Sequence, residues 1–498
     1  MAATVDEIGS EQFQRRLAQG MAVAHWAARD DDWPAVVSEY GDRTFGQLNR
    51  RTNQLVRALR ARGVREGDSV ALISRNRPEF VEVYCACLRG GFRLTPINFH
   101  LRSDEAAYIR EDCGAKVVVT DTEATEGIHI GPDYEALIAG EDPSDIDDPT
   151  PGWAMLYTSG TTGRPKGVYR ERPEEVVADL SAYGRRRVHL CTGPLYHAAP
   201  LSLSMHNPIS GGSTLVLMDR WDAEETLRLV EANRVTHSHM VATMFHRLLQ
   251  LPEETRSSYD VSSLRWIVHG AAPCPVHVKR AMIDWWGPII HEYYAATEGV
   301  GTAVDAHTWL KHPGTVGKVS PPDHILIGDD DANPLPVGTA GIVWLKTVSG
   351  QRFEYHGDPA KTDDTYRGDY FTMKDVGYVD ADGFLFITDR NANLIISGGV
   401  NIYPAEVDAI LLEHPAVGDV ATIGVPNDEW GEEVKAVVEA ADGVVPDDAL
   451  ASALLAYCRE RLTAFKCPRS IDFVDHLPRQ DNGKIYKRLL RDRYRAGR

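Results

Sequence analysis

The 498-residue sequence predicts an α/β protein built on doubly wound sheets, and two observations support this class. Helical and strand-like patterns alternate through most of the chain, as such a sheet requires. The chain is also too long for a single hydrophobic core, so two or more cores are expected. Hydrophobic residues make up 43% of the chain and charged residues 25%, which is ordinary for a soluble globular enzyme.

The first elements along the chain show the clearest alternation. Residues 44–61 have their apolar side chains at helical spacing, and residues 69–74 form a short apolar run that predicts a buried strand. A second helix is predicted over 78–89 and a second buried strand over 116–121. The segment 121–151 is rich in Asp, Glu, Gly and Pro, so we expect an exposed connection there.

The same rhythm resumes in the middle of the chain. Strands are predicted at 153–157, 214–218 and 264–269. After these strands the character changes to short β-like runs, such as 341–347, that are separated by Gly, Pro and Asp. This change predicts a smaller β-rich unit that follows the α/β region.

A last apolar strand, 384–390, ends in a polar break, after which about 100 residues remain as a small unit. Its elements are a helix that starts near Pro404, a β-rich stretch at 417–439, a helix at 447–462 and a basic tail. We therefore place a domain boundary near residue 390. The predicted domains are 1–390 and 391–498.

Composition restricts the partners and the compartment. The formal net charge of −19 argues against a nucleic-acid partner, because there is no excess of Lys and Arg to replace counterions. The seven cysteines are scattered without a CxxC pair, which favours free thiols in a reducing compartment. No run approaches the roughly 20 apolar residues of a membrane span. Together with a polar N-terminus, these features predict a cytoplasmic protein without a membrane span.

The strongest local signal is the segment 157–167, YTSGTTGRPKG, directly after a predicted strand. Its glycines let the backbone approach a polyanion and present N–H groups, its hydroxyls add donors, and its two cations offset negative charge. The segment is not a Walker loop, GxxxxGK[ST], because Pro165 occupies the position of the second glycine. It is not a serine-hydrolase motif, GxSxG, because Tyr157 occupies the position of the first glycine. A triphosphate-binding loop is therefore favoured over a flexible linker. Its candidate contacts are Thr158, Ser159, Gly160, Thr161, Thr162, Gly163 and Lys166.

Further motifs follow in order: GAAP at 270–273, EYYAATEG at 292–299, MKDVGY at 373–378, TDR at 388–390, SGGVNIYP at 397–404 and PRQDNGKI at 478–485. With the phosphate loop, they resemble the adenylate-forming superfamily of acyl-CoA synthetases, luciferases and adenylation domains. The resemblance covers nearly the whole chain and is nearest to acyl-CoA synthetases of the fatty-acid–CoA ligase type. It implies a large N-terminal domain of doubly wound α/β subdomains plus a small β-barrel, and a small mobile α+β C-terminal lid domain.

The resemblance also implies a nucleotide site. Tyr294 would stack on adenine, Thr297 would hydrogen-bond the α-phosphate, and Glu298 would hold Mg²⁺, for which a carboxylate is a suitable hard ligand. Glu292 and Tyr293 are assigned to the same site, with a purely structural Tyr/Glu cluster as the alternative. The adenine pocket would be lined by Gly270, Ala271, Ala272 and Pro273, a segment that alone is equally typical of a strand-to-helix turn.

Asp375 and Arg390 match the superfamily's two ribose contacts. The residue before this aspartate is usually glycine in the superfamily, whereas this chain has Lys374. His197, in the segment PLYHAAP, matches a position that lines the acyl pocket near the reacting carboxylate. We expect it to line or orient rather than to act as a base, because an ionised carboxylate needs no deprotonation.

The remaining motifs belong to the small domain. Lys484 resembles the catalytic lysine that bridges the substrate carboxylate and the phosphate oxygens of ATP, a task that suits a compact ammonium on a long stem. Gly398 and Gly399 match the stretch that borders the pantetheine tunnel. Ala392 stands where relatives often carry a charged hinge residue.

The implied reaction has two steps. An acid carboxylate attacks the α-phosphorus of ATP, which releases pyrophosphate and leaves an acyl-AMP. After a rotation of the small domain, coenzyme A accepts the acyl group. Segments 428–432 and 465–468 favour CoA as the acceptor. A carrier-protein thiol, an amine, nitrite activation for diazotisation of an aryl amine, and a non-catalytic nucleotide-binding role stay open as alternatives. Fatty, aromatic and small acids are all compatible with the sequence.

Overall fold

The computed structural model describes residues 8–158, 165–170, 180, 182–184, 187–347, 352–390, 393–397, 400–427, 429–479 and 485–495. At Arg390, Asn401 and Arg495 it describes the backbone alone.

The strands of the described residues are β1 (Pro34–Val37), β2 (Arg43–Thr44), β3 (Ser69–Ile73), β4 (Arg93–Ile97), β5 (Ala115–Thr120), β6 (Ile128–His129), β7 (Trp153–Ala154), β8 (Leu156–Thr158), β9 (Lys166–Tyr169), β10 (Val188–Cys191), β11 (Thr214–Leu217), β12 (His237–Met240), β13 (Trp266–His269), β14 (Ile290–Ala296), β15 (Gly299–Val304), β16 (Gly317–Lys318), β17 (Ile325–Gly328), β18 (Gly341–Lys346), β19 (Glu354–Tyr355), β20 (Tyr366–Arg367), β21 (Tyr370–Val379), β22 (Phe384–Arg390), β23 (Ile395–Ser397), β24 (Val400–Ile402), β25 (Val417–Asn427), β26 (Gly431–Ala440) and β27 (Ser470–Phe473).

The α-helices are α1 (Glu11–Ala18), α2 (Ala22–Ala27), α3 (Phe45–Ala61), α4 (Pro78–Gly90), α5 (Ser103–Asp112), α6 (Pro132–Ile138), α7 (Asn207–Ser210), α8 (Ala223–Asn233), α9 (Ala242–Gln250), α10 (Glu253–Ser258), α11 (Val276–Trp286), α12 (Ala306–Lys311), α13 (Pro359–Thr365), α14 (Pro404–Leu411), α15 (Asp448–Arg461) and α16 (Lys487–Arg495). A π-helix spans Pro200–His206, and a short 3₁₀ helix spans Ala464–Lys466.

Two parallel sheets form the α/β part of the molecule. The first has the strand order β6-β5-β3-β4-β7, and all of its pairs are parallel. Strand β3 is buried along its whole length, as expected for a central parallel strand with helices on both faces. The second sheet has the order β15-β14-β13-β12-β10-β11-β1-β2, and only its outer pairs, β14–β15 and β1–β2, are antiparallel.

The β-rich unit expected after these sheets is antiparallel. Strands β16, β22, β21, β18 and β17 form one sheet, to which β20 adds, and β19, β9 and β8 form another. Val168 of the smaller sheet packs in the same core as Val343 and Leu385 of the larger one. The last strand of the larger sheet ends at Arg390.

Residues beyond 394 form their own sheet, in the order β24-β23-β26-β25 with β27 parallel to β26. Helices α14 and α15 cover it and share a core that includes Leu411, Val438 and Leu454. The α/β fold with a large N-terminal and a small C-terminal part is therefore confirmed. Mobility of the small part remains a prediction.

Contacts between the large and small parts are polar where they are described. The His246 Nε2–H of α9 donates to the carbonyl oxygen of Gly418 at 3.0 Å, and Gln250 Nε2 donates to the same oxygen at 3.5 Å. Nδ1 of His277 lies 3.5 Å from Oε1 of Glu413. We call these three the docking contacts.

Local sequence explains why many predicted elements end where they do. The helix predicted over 44–61 is α3, and Thr44 and Gln47 close a capping box at its start. Helix α4 ends at Gly91, whose φ of 76° suits glycine. The exposed connection expected over 121–151 is only partly correct, because it contains α6, whose Tyr134 and Ile138 are buried in the main core. The many charged residues around α6 make these two buried apolar residues difficult to recognise in the sequence.

No helix among the described residues is both long and apolar enough to cross a membrane.

One face of the second sheet carries a row of buried histidines. His189 of β10 pairs in register with His237 of β12, and His239 follows two residues later on the same face. Burial lowers the pKa of His237 and of His239 to about 4, and lowers that of His189 well below its ordinary value. These imidazoles are therefore neutral near pH 7.

The buried histidines predict a specific pH dependence of stability. Their pKa values in the folded chain lie below the ordinary 6.5, so the unfolded chain binds more protons between about pH 6.5 and 4. Their contribution is complete above pH 6.5 and is lost as the pH falls, by about 2 kcal/mol each for His237 and His239 between pH 7 and 5.

Chemical denaturation at pH 7, 6 and 5 measures this loss. The variant His189→Leu removes one of the groups and should show a smaller decrease than the wild type. An equal free energy of unfolding at pH 7 and 5 would contradict the assignment.

Candidate active site

The predicted site residues collect at the carboxyl edge of the second sheet. Strands β10, β12, β13 and β14 run parallel, so the segments that follow them meet at one edge. His197 follows β10, Gly270 follows β13, and Thr297 follows β14. In open α/β sheets this edge is where ligands bind.

The phosphate-loop segment forms a β-hairpin beside this edge. Thr158 of β8 is paired with Lys166 of β9, and the tip between them carries five of the predicted contacts. Those five, Ser159, Gly160, Thr161, Thr162 and Gly163, lie outside the described residues. Nζ of Lys166 lies 2.9 Å from Oδ2 of Asp358 and 5.7 Å from the centre of the Tyr355 ring. These contacts hold the hairpin within the β-rich unit.

The predicted magnesium ligand, Glu298, lies next to the hairpin. Thr297 and Glu298 form the turn between β14 and β15. The Tyr355 hydroxyl donates to Oε1 of Glu298 at 3.0 Å, and Arg170, just after β9, donates to the Glu298 carbonyl oxygen. Burial raises the pKa of Tyr355, with the Glu298 charge acting in the same direction, so the hydroxyl keeps its proton. The hairpin and the Glu298 turn are thus connected through shared partners.

The residues predicted for adenine and ribose are in direct contact. The Tyr294 hydroxyl donates to Oδ2 of Asp375 at 2.7 Å. Asp375 is buried in β21 and pairs across the sheet with Arg390 at the end of β22. One predicted nucleotide site therefore spans the edge of the second sheet and the antiparallel unit.

Lys374 adopts the backbone conformation for which glycine is favoured. Its φ is 61°, in the left-handed region. The ladder between β18 and β21 shifts register here, because Trp344 pairs with Thr372 whereas Ile342 pairs with Val376. This shift in register sets the position of Asp375 in β21. The chain retains the shift although Lys374 replaces the glycine that is usual in the superfamily.

Glu292 makes a contact that sequence reasoning did not foresee. Its Oε2 lies 2.6 Å from Nζ of Lys279, a fully buried lysine of α11 whose ammonium also lies 4.6 Å from the centre of the Trp309 ring. His269 Nε2 lies 3.4 Å from the same oxygen. Burial raises the pKa of Glu292 while Lys279 opposes that rise. The carboxylate contacts Lys279 of α11 and so links that helix to β14. The nucleotide contact of Glu292 remains a prediction.

Tyr293 and the GAAP segment fit each other closely. A Cβ at Gly270 would lie 2.6 Å from the Tyr293 ring, so only glycine admits the ring at this position. Ala271 has a φ of 68°, which directs Ala272 and Pro273 away from the strand axis. The Tyr293 hydroxyl lies 2.9 Å from Nε2 of His239.

His197 is half-buried at the expected edge. Its ring centre lies 4.8 Å from that of Tyr196, and its carbonyl oxygen accepts from the Leu201 N–H in the π-helix that follows. Lys484, Gly398, Gly399 and Ala392 lie outside the described residues, as does the side chain of Arg390.

Several residues of the site carried no sequence signal. Lys279, Tyr355 and Asp358 reach it only through contacts between residues distant in the chain, and none of them lies in a motif. The described residues also hold one group with metal-binding geometry, His312, Asp380 and Asp382, whose ligand atoms lie within 4.8 Å of one another. It does not include Glu298.

The chain matches the family model for AMP-binding enzymes over residues 23–350 and the model for their C-terminal domain over residues 406–484. It belongs to the AMP-binding enzyme family. The prediction of the adenylate-forming superfamily is therefore confirmed, and so, at the level of the family, is an ATP-dependent enzyme of the acid–thiol ligase type.

Relatives of this AMP-binding enzyme are similar over nearly their full length. A feruloyl-CoA synthase of an Amycolatopsis species is 35% identical over 91% of this chain and 94% of its own. The fatty acid–[acyl-carrier-protein] ligase ScoC of Streptomyces coeruleorubidus is 31% identical over 94% and 95%. The crystal structure of the anthranilate CoA ligase AuaEII with anthranoyl-AMP has a TM-score of 0.82 over 96% and 97%, at 22% identity, and so supports the fold.

Replacing Tyr294 by Phe should weaken nucleotide binding. The variant keeps the ring but removes the hydroxyl that donates to the Asp375 carboxylate, a hydrogen bond to a charged group worth about 1.5–3 kcal/mol. We expect AMP to bind roughly tenfold more weakly or worse, as measured by calorimetric titration. Tyr378→Phe, in the same strand as Asp375, is the control. Unchanged AMP affinity in the Tyr294 variant would show that this hydroxyl does not contribute to nucleotide binding.

Replacing Lys374 by Gly should stabilise the fold. Relief of a left-handed φ gains about 1–2 kcal/mol, of which the freer unfolded chain offsets about 0.5–1 kcal/mol. Denaturant unfolding should therefore show a net gain of up to about 1 kcal/mol. Lys116→Gly, at an exposed position of β5 without positive φ, should lose stability instead. A loss in both variants would show that Lys374 is unstrained.

Proposed function

We propose that this AMP-binding enzyme adenylates an organic acid with ATP and Mg²⁺ and then transfers the acyl group to coenzyme A. The observation that carries the proposal is the hydrogen bond between Tyr294 and Asp375, which joins the two predicted halves of a nucleotide site. Around it, the Glu298 turn, the phosphate hairpin and His197 lie at one edge of the second sheet. An adenylate with its acyl group toward His197 fits this arrangement.

In the first step the acid's carboxylate oxygen bonds to the α-phosphorus of ATP, and the bond to pyrophosphate breaks. In this proposal Thr297 would donate to the α-phosphate, while Tyr294 and Asp375 would hold the nucleoside. Lys484 would balance the negative charge that spreads over the phosphate oxygens. Such groups act through position and charge, because phosphoryl-type transfer needs little covalent help from the protein.

Glu298 fits the expected magnesium ion. Its carboxylate is a hard oxygen ligand, and Mg²⁺ in nucleotide enzymes takes one or two carboxylates together with phosphate oxygens and water. When bound, the ion would neutralise phosphate charge. Tyr355 holds the carboxylate through one oxygen, Oε1, and so fixes its orientation toward the hairpin.

In the second step the thiol of coenzyme A loses its proton to solvent and its sulfur bonds to the acyl carbon, while AMP leaves with the electrons of the mixed-anhydride bond. We place the division between the two domains at residue 390, after which the small domain would rotate and withdraw Lys484. The docking contacts are polar side-chain contacts of a kind that such a rotation can exchange for contacts with water.

Relatives support CoA as the acceptor and keep one alternative in view. The feruloyl-CoA synthase acts with CoA, as its name states, whereas ScoC is named for a carrier protein. The feruloyl relative is the more similar in sequence, and we therefore place CoA first. Aromatic acids become the first class to test for the same reason.

Pyrophosphate release from ATP and Mg²⁺, measured over a panel of aromatic, fatty and small acids with and without CoA, tests the proposal. We expect release that depends on the acid, and a CoA thioester as the product. Pyrophosphate release without a CoA thioester would indicate that the acceptor is a carrier protein or an amine. No release with any acid, in a protein that still binds AMP, would refute the adenylating function.

Lys484→Ala is the decisive variant in this assay. Removing the ammonium that offsets phosphate charge should reduce acid-dependent release by about a hundredfold or more, with AMP affinity retained. Lys466→Ala, which removes an ion pair with Glu406 and a contact with the Phe465 ring in the small domain, serves as the control. Equal pyrophosphate release in both variants would show that Lys484 has no role in adenylation.

A further inference from the structure

One short segment between β19 and α13 contacts two groups that are predicted to meet the phosphates of ATP. The Tyr355 hydroxyl donates to Oε1 of Glu298 at 3.0 Å, and Nζ of Lys166 donates to Oδ2 of Asp358 at 2.9 Å. Glu298 is the predicted magnesium ligand, and Lys166 is a predicted phosphate contact. Tyr355 and Asp358 are three residues apart in the chain. A single turn therefore contacts both groups.

The main chain of this turn is fixed on both sides. Tyr355 pairs with Val168 of β9, and its N–H donates to Oγ1 of Thr362 in α13 at 2.9 Å. The Asp358 N–H donates to the carbonyl oxygen of Tyr355 at 3.0 Å, which closes a tight turn in which Gly357 has a φ of 68°. The side chains of Tyr355 and Asp358 therefore start from a well-supported backbone.

Asp358 uses its two carboxylate oxygens for different tasks. Oδ1 accepts from the Lys361 N–H at 3.0 Å and so caps α13, while Oδ2 accepts from Lys166. The Lys166 side chain is only 15% exposed, and its ammonium lies 5.7 Å from the centre of the Tyr355 ring. An ammonium has three N–H donors, of which Asp358 occupies one. The lysine is thus held in one place and can still donate to an anion.

Glu298 is held at its main chain and at its side chain. Arg170 donates to its carbonyl oxygen, and Tyr355 donates to its Oε1. A carboxylate has two oxygens, and Tyr355 engages one of them. Loss of a partner that orients a metal-binding side chain typically costs about 10–100-fold in metal affinity or activity. The hydroxyl of Tyr355 is therefore placed to set the orientation of the predicted metal ligand.

The nucleoside end of the predicted site depends on a different contact, the hydrogen bond from Tyr294 to Asp375. AMP has the nucleoside and one phosphate, whereas ATP adds the β- and γ-phosphates, which share Mg²⁺ with carboxylates in nucleotide enzymes. Groups that act on the phosphate end should therefore affect ATP more than AMP, and groups at the nucleoside end should affect both.

We propose that Tyr355 and Asp358 are positioning residues for the triphosphate of ATP: Tyr355 orients Glu298 toward Mg²⁺, and Asp358 holds Lys166 beside the β- and γ-phosphates. The inference rests on the proposed function, from which it takes ATP and Mg²⁺ as the ligands. A long side chain that is ordered before ATP binds saves the cost of ordering it on binding, which corresponds to about two- to tenfold in affinity.

Asp358→Asn tests the lysine half of the proposal. Asn caps a helix as well as Asp does, so α13 should persist while the charge that holds Lys166 is lost. We expect ATP to bind about three- to tenfold more weakly, with or without Mg²⁺, and AMP to stay within about twofold, as measured by calorimetric titration without an acid. Asp364→Asn, which removes an ion pair with Lys361 in the same helix, is the control.

A double variant tests whether Asp358 acts through Lys166. In a Lys166→Ala background, Asp358→Asn should change ATP affinity by no more than about twofold, because the group that it positions is absent. A loss as large as in the wild-type background would show that Asp358 acts in another way and would overturn its part of the proposal.

Tyr355→Phe tests the metal half. The variant keeps the ring in the core of the β-rich unit and removes the hydroxyl that donates to Glu298. The gain in ATP affinity on adding saturating Mg²⁺ should fall by about tenfold, while AMP affinity and ATP affinity without Mg²⁺ stay within about twofold. Tyr370→Phe, which removes a hydroxyl that donates to the Asp323 carbonyl oxygen in the same unit, is the control.

The outcomes separate this inference from the proposed function. An unchanged Mg²⁺ gain in Tyr355→Phe, unchanged or tighter ATP binding in Asp358→Asn, or an equal loss of ATP and AMP in either variant overturns the part that the variant tests. AMP binding also reports folding, and if Tyr355→Phe fails to bind AMP, Asp358→Asn and the double variant decide. Variants that bind as expected in a protein that releases no pyrophosphate with any acid refute adenylation and leave this assignment in place.

Discussion

The ion pair between Lys279 and Glu292 is the contact on which the geometry of the site depends. Both side chains are buried, and a buried pair is stable only when its geometry is good and its partners stay together. The pair joins α11 to β14 and so fixes the register of that strand. Side chains alternate along a strand, so a slip by one residue would exchange the directions of Tyr293 and Tyr294. Their separate roles follow from this one connection.

The second requirement is contact between two unlike parts of the fold. The second sheet supplies Tyr294 and Glu298, whereas the antiparallel unit supplies Asp375 and Tyr355. Neither part alone contains all the residues predicted for the nucleotide. Each crossing contact involves a charged group, and hydrogen bonds to charged groups are stronger than neutral ones. The residues of the predicted site therefore come together only when the two parts pack against each other.

Sequence predicted the elements whose signal is local. Strand β3 is a continuous apolar run, and α3 carries its own capping box, so both appear close to the predicted bounds. Motif order identified Tyr294 and Asp375, although their hydrogen bond joins residues 81 positions apart. The contact between Glu292 and Lys279 was not foreseen, because Lys279 lies on a helix with no distinguishing pattern. Long-range pairing of this kind leaves no trace in spacing or composition.

The docking contacts differ in how they respond to mutation. Two of them end on the carbonyl oxygen of Gly418, which belongs to the main chain and is present whatever residue stands there. A side chain at this position would also lie 2.9 Å from the carbonyl oxygen of Ala440, so the position favours glycine. Substitutions can therefore remove these two hydrogen bonds only at the donor side chains, His246 and Gln250. The third contact, between His277 and Glu413, can vary on both sides, because both of its partners are side chains.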